Sequence, residues 1–265
     1  MIADNVATLS RQHGTARRDS LEWNYHRFNH ARFRASDPLT FVWGFESQED
    51  QVIAAWAAAA LAYGRVAAIQ NALNDLNRRW DHQPAAFLTQ ASKAEQQKAL
   101  KGFIYRWTRS PHLLAHLRGW HSVNSQTPVW QRLQKSETKN YREALIPIIN
   151  EISSAEGDPG HLCPNPAASS ACKRLAMWLR WMTRKDEIDP GIWSEHLDPA
   201  KLWVPLDTHM FRIAKQLRLT HRKNPDAEAA RRITASFARI CPEDPVRYDF
   251  AITRMGMGTE EKIER

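Results

Sequence analysis

The segment VPLDTHMFRIAK, Val204 to Lys215, sets one acidic residue, Asp207, at the mouth of a helix in a basic, tryptophan-rich chain. Pro205 has a preset φ and no N–H to lose, which suits a helix entrance, and Leu206, Met210, Ile213, Ala214 and Leu217 recur at helical spacing. Asp207 therefore falls in the first turn or at the cap, where free backbone N–H groups and the helix dipole favour negative charge. A carboxylate held there beside a polyanionic duplex is equipped for chemistry on nucleic acid. Its plainer role is a helix cap, for which Asp is a preferred residue.

The chain around it fits that chemistry. Its 265 residues carry a formal charge of +8, with a pI near 9.6, and the excess is uneven. From Lys173 to Lys223 there are eleven Lys and Arg against six Asp and Glu, so most of the surplus lies in the segment that holds Asp207. A phosphate-binding surface has this composition, although a merely solvated basic face shares it. Hydrophobic residues make up 43% of the chain, and eleven Trp supply both core mass and surfaces on which bases can stack. The length suffices for one long domain or two helical lobes sharing a cleft. Cys163, Cys172 and Cys241 are too few for the four ligands of an iron–sulfur cluster and, as an odd set, argue against a disulfide framework. With no apolar targeting segment at the N-terminus and no run long enough to span a bilayer, the expectation is a cytoplasmic protein.

Periodicity predicts an almost wholly helical chain. The clearest helix begins after Ser47, whose spacing to Asp50 resembles a capping box, and runs through the Ala-rich stretch toward Trp80. Further helices are predicted over Ala94–Trp107, Pro111–Trp120, Tyr141–Ile152, Ser170–Arg184, Asp207–Leu217, Asp226–Ile240 and Pro245–Met255. The loop EGDPGHLCPNPAASS, Glu156 to Ser170, is the most irregular internal stretch, and loops leading into a basic helix often carry function.

The LDTHMFR string resembles the VDTH-hydrophobic-R signature of the helix-hairpin-helix DNA glycosylases, the endonuclease III-like superfamily. A longer resemblance, carried by AAAALAYGRV, LCPNPAASSACKRLAMWLRWMTRKDEIDPGIW, VPLDTHMFRIAK and DPVRYDFAITRMG, is to the bacterial DUF2400 family and runs from about Tyr25 to Gly256. It implies an all-α, two-lobed glycosylase-like fold over 25–256, with an N-terminal extension at 1–24 and a tail at 257–265. It also implies that Asp207 is the catalytic carboxylate. One branch of such proteins includes a phage-defence glycosylase that removes glucosylated hydroxymethylcytosine.

Breaking an N-glycosidic bond spreads positive charge over the sugar, and a fixed carboxylate stabilises it and can activate the attacking water or an amine. Lys173, in SACKRLAMWLR, resembles the lysine that bifunctional members use as a nucleophile. A deprotonated amine there would form a Schiff base with the sugar, whereas an ammonium would serve as a phosphate contact beside Arg174. The superfamily's glycine-bearing hairpin turn is replaced here by CPNPAASSACK, so Ser169, Ser170 and the amides opening the Lys173 helix are the candidate phosphate anchors. Tyr63, Gly64 and Arg65 are candidates to contact the displaced nucleotide, and His209 and Arg212, within the signature, to contact DNA. Phe103, Tyr105, Arg106 and Trp107 either stack bases or belong to the core. Asp249 and Arg254 are read as positioning the last helix.

The histidine pairs His26/His30 and His112/His116 have helical metal-pair spacing without carboxylates to complete a site, and no dinucleotide, P-loop or α/β-hydrolase motif is present. What the resemblance implies is a DNA glycosylase acting on a modified base in double-stranded DNA, expected to be a monomer with no metal, no small-molecule cofactor and no membrane. The modified base is either the phage glucosyl-hydroxymethylcytosine or an oxidised or alkylated base of repair, in either case with or without lyase activity. A DNA- or RNA-binding protein on the same fold without catalysis is the rival.

Overall fold

The computed structural model describes residues 3–257. Two helices, α1 (Val6–Arg11) and α2 (Gly14–Phe28), lead through 3-10 turns at Ala31–Ser36 and Pro38–Gly44 into α3 (Gln48–Leu61) and α4 (Val66–Arg79). Next come α5 (Pro84–Thr89) and α6 (Lys93–Ala99), then an antiparallel hairpin of β1 (Ile104–Tyr105) and β2 (Thr108–Arg109), the only sheet among the described residues. The chain continues through α7 (Ser110–Gln126), α8 (Val129–Gln134) and α9 (Tyr141–Ala155), an irregular loop, and then α10 (Lys173–Thr183), α11 (Thr208–Gln216), α12 (Ala227–Ala238) and α13 (Asp249–Met257). The fold is mostly helical, as periodicity implies.

Local chemistry sets the boundaries. The Ser47 hydroxyl accepts the Asp50 N–H at 3.1 Å, capping α3. The helix does not run on to Trp80: it ends at Leu61, the chain turns at Gly64 with φ +102°, and α4 starts afresh. Left-handed φ favours glycine, and a Cβ on Gly64 would also meet Arg106 Nη1 at 2.9 Å. Likewise the helix expected over 94–107 stops at Ala99, because Gly102 at φ +78° and Arg106 at φ +53° reverse the chain into the hairpin. The Ser170–Arg184 helix begins only at Lys173, since Cys172 adopts left-handed φ +49° just before it. Helices α1, α2, α5 and α8 and the hairpin carry too little periodicity to be foreseen.

Helix α3 is the buried axis, with every residue from Ile53 to Leu61 buried. Its Ala-rich face lets α10 and α7 approach closely, and their aromatic residues meet on it. Trp56 stacks on His116 at 4.4 Å and on Trp120 at 4.9 Å, with Trp178 edge-on at 5.0 Å and Trp193 beyond it. Such rings supply large buried areas, and the offset and edge-on arrangements add to that burial. Helix α9 packs on α7 so closely at Gly119 that a Cβ there would lie 2.3 Å from the Ile152 carbonyl. On the other side, α1 and α2 pack with α11 and α13.

Burial holds two polar groups of this core neutral. It lowers His116 from 6.5 to about 3, and it pushes the Cys163 thiol up to about 12; the two meet at 3.1 Å through Nδ1 and Sγ. All three cysteines are free thiols.

Two outcomes follow from this packing. Gly119→Ala should destabilise the protein by about 1–3 kcal/mol through backbone overlap, read from denaturant midpoints. The folded chain refuses a proton at His116 that the unfolded chain accepts below pH 6.5, so stability is full above that value and declines as pH falls toward about 3. That decline should reach up to ~1.4 kcal/mol per pH unit from this one group. In His116→Phe, which keeps the stack on Trp56, unfolding titrations should lose about one proton's share of the slope; an unchanged slope would mean that His116 titrates normally.

Candidate active site

A pocket of about 300 Å³ opens where the turn between α3 and α4, the starts of α10 and α11, and α13 converge. Asp207 is the N-cap of α11. Its Oδ1 accepts the Met210 N–H at 2.8 Å, and its Oδ2 lies 3.3 Å from Lys173 Nζ. The capping and reactive readings of Asp207 are therefore compatible: one oxygen fixes the carboxylate, and the other faces the amine. The Lys173 and Asp207 side chains are 34% and 27% exposed, so both are reachable from solvent. Pro205, Met177 and Phe250 form apolar walls of the pocket, and Tyr63, Gly64 and His209 line it as well.

A buried ionic lattice fixes that geometry. Arg180, about two turns along α10 from Lys173, is 5% exposed and bridges Asp249 at 2.7 Å and Asp189 at 3.0 Å. Arg184, a further turn along, grips Asp189, Asp186 and Asp244 at 2.5 to 2.9 Å. The two guanidiniums are held well above their usual value by these carboxylates despite the cost of burial. Asp249 faces the pocket too; burial, and then the charge of Asp207, push its carboxyl up against the pull of Arg180. Arg254 lies 3.7 Å from Asp37, and both also line the pocket. Asp249 and Arg254 thus do tie α13 to the rest of the fold, and in addition they wall the cavity.

Of the residues singled out from the sequence, Asp207, Lys173, Tyr63, Gly64 and His209 meet at this pocket. Arg65 is exposed as the N-cap of α4, and Arg212 is exposed on α11, outside the lining. Ser169 and Ser170 are exposed on the strand-like segment that pairs with Asp226, and the Ser170 carbonyl accepts from Arg142 at 2.7 Å. The N-terminus of α10 has no side-chain cap. Arg174 is the exception: its guanidinium turns inward, donating to the Ala60 carbonyl at 2.6 Å and to that of His161, and it lies over Tyr63 at 5.6 Å. It holds the α3 C-terminus to the irregular loop and is not placed as a phosphate contact.

The Phe103–Trp107 cluster divides. Phe103 and Tyr105 are buried, while Trp107 is 57% and Ile104 62% exposed. Trp107 stacks on Tyr63 at 5.4 Å with an interplanar angle of 17°, and the Arg106 guanidinium lies 4.7 Å from the Trp107 ring and 6.0 Å from that of Tyr63. The Tyr63 hydroxyl is held by Thr108 Oγ1 at 2.6 Å and the Tyr105 carbonyl at 3.1 Å, so the hairpin and the pocket rim are one unit. Only the antiparallel pairing, invisible in a helical pattern, brings Trp107 to the site. His30 meets Glu187 at 3.3 Å and His116 meets Cys163, but no group of three or more His, Cys, Asp or Glu placed to hold a metal ion occurs among the described residues. Nor is any described helix long and apolar enough to cross a membrane.

Fold and site together define a mostly helical protein with an acid–amine pair at an aromatic-rimmed pocket. The DUF2400 family, described as a protein of unknown function, matches residues 37–258, and the chain belongs to that family. No curated protein and no solved structure matches it.

The lattice implies a large, one-sided energetic effect. Arg180→Met leaves Asp189 and Asp249 buried without their shared cation and should cost about 3–5 kcal/mol in chemical unfolding. Arg78→Met, which breaks an exposed pair with Asp75, should cost under ~1 kcal/mol. Equal losses would show that the buried ions do not hold α10 to α13.

Proposed function

We propose that this protein is a DNA glycosylase that binds double-stranded DNA, draws a modified base out of the stack and hydrolyses its N-glycosidic bond, leaving an abasic site. The observation that carries the reading is the contact between Lys173 and Asp207 at the mouth of a nucleoside-sized pocket. At about 300 Å³ the pocket stands at the lower end of the ~300–1,000 Å³ usual for ligand sites. The basic surplus between Lys173 and Lys223 supplies attraction for the phosphate backbone.

In this reaction the C1′–N bond breaks, the base leaves with the bonding electrons, and water adds to C1′ while giving up a proton. Asp207, held by the Met210 N–H through one oxygen, presents the other to the cationic sugar and to the attacking water. Lys173 as an ammonium orients that carboxylate. As an amine it attacks C1′ of the ring-opened abasic sugar, expels water and forms an imine, from which strand cleavage by β-elimination follows. Trp107 and Ile104, exposed at the hairpin and joined to the rim through Tyr63, are suited to fill the space that an extruded base vacates. The family resemblance makes glucosyl-hydroxymethylcytosine of phage DNA the first substrate to try, and with it a role in antiviral defence; oxidised and alkylated bases of repair come next.

The test is incubation of the protein with DNAs carrying each of these bases, with released bases read by mass spectrometry and abasic sites by alkaline cleavage. Asp207→Asn should lower release by at least about 10²–10³-fold, the scale of one lost electrostatic stabiliser, while duplex affinity changes little. Absence of release from every DNA, with binding intact, would make the chain a non-catalytic DNA-binding protein.

A further inference from the structure

A second cavity, of about 500 Å³, lies away from the Asp207 pocket and is lined by four arginines: Arg17 and Arg18 of α2, Arg218 just past α11, and Arg239 just past α12. Among the described residues no acid lines it. Glu243, outside the lining, bears electrostatically on Arg18. Asp207 caps one end of α11 and Arg218 follows the other, so at ~1.5 Å per residue the nine-residue helix sets the two sites roughly 14 Å apart.

Several independent features make this cluster unusual for a merely solvated face. Arg17 donates weakly to the Leu217 and Ser10 carbonyls, at 3.3 and 3.4 Å, and its Nε is buried with no partner. Burial, and then the charge of Arg218, lower the Arg17 guanidinium from its usual value, the mark of like charges pressed together. Arg218 occupies a left-handed position, φ +56°, directly after the helix C-cap, where glycine is the usual residue. An arginine there bears a conformational cost that no ion pair among the described residues offsets. Gly14 and Thr15 at the N-terminus of α2 also line the cavity, and that helix has neither a side-chain cap nor an acid in its first turn.

We propose that this cavity is a phosphate-binding site that takes two neighbouring phosphates of one ligand. Arginine forks match phosphate oxygens bidentately, and two guanidiniums per phosphate account for all four without demanding an acid. The same chemistry is offered by the phosphodiester backbone of nucleic acid and by a free di- or triphosphate. The inference concerns binding alone and stands apart from base excision.

The experiment uses the full chain, titrated calorimetrically with inorganic tripolyphosphate, and measures duplex affinity as a function of salt. The variants are Arg218→Asn with Arg239→Gln, Asn being tolerated at left-handed φ, and Arg239→Gln alone should the double variant fail to fold. Lys98→Gln with Lys135→Gln serves as an exposed-charge control. The expected result is at least tenfold weaker tripolyphosphate binding in the double variant, a smaller loss in Arg239→Gln, and none in the control. A fall of about 2 in the slope of log affinity against log salt for the duplex, at ~0.9 per phosphate contact, identifies nucleic acid as the source. An unchanged slope with lost tripolyphosphate binding identifies a free oligophosphate. Tripolyphosphate and duplex binding both unaltered by the variants, or altered equally by the control, would overturn the proposal.

Discussion

The buried guanidinium of Arg180 is the constraint on which the rest of the structure depends. It stands in the last turn of α10, reaches Asp249 at the start of α13 and Asp189 in the loop after α10, and is buried apart from a sliver at the pocket wall. A charge in such a place is tolerable only if its partners are fixed, so the three segments are locked together. Because Lys173 opens the same helix and Asp249 walls the same pocket, that lock also sets where the amine stands relative to Asp207. Arg184 repeats the device one turn on, tying Asp186 and Asp244 to the same helix. The aromatic cluster of Trp56, Trp120, Trp178 and Trp193 holds the opposite face of α10 to α3 and α7. Helix α10 is therefore held by ions on one face and by rings on the other, with its N-terminus presented at the cavity.

The helical content and the position of Asp207 were legible in the sequence because both rest on local rules: apolar spacing, a proline at an entrance, an acid at a cap. The interruptions were not. Nothing in the Ala-rich run from Ile53 to Leu76 other than Gly64 marks the break between α3 and α4, and one glycine in a helical pattern is a weak signal. The hairpin escaped notice because its strands are two residues each and its turn uses Arg106 at positive φ, a residue that seldom signals one. The direction of the Arg174 side chain was hidden for a related reason. Sequence shows a cation beside Lys173, but only the fold shows that the two neighbours point different ways, one to Asp207 and one to the carbonyls of Ala60 and His161.

The same comparison explains why the acid and the amine belong together although thirty-four residues separate them. Each is fixed at a helix start, and helix starts collect where loops converge, which is where a pocket can form without breaking the packed core. Tyr63 completes the rim because the turn between α3 and α4 arrives at the same place, and its hydroxyl is clamped by the hairpin. Polar and aromatic groups are thus brought to one cavity by elements whose own stability comes from elsewhere. That separation lets the site keep a partly exposed ion pair that contributes little to folding.

The central claim is that Lys173 and Asp207 act as one unit on a nucleotide held in this pocket. It is tested most directly by a double-mutant cycle on single-turnover base release, using Asp207→Asn, Lys173→Gln and the two combined on the DNA that the wild-type protein processes. If the pair is one unit, the combined variant will be no slower than the worse single variant, since removing either partner already disables the other. Losses that simply multiply, or a Lys173→Gln variant that releases bases at the wild-type rate, would contradict the account.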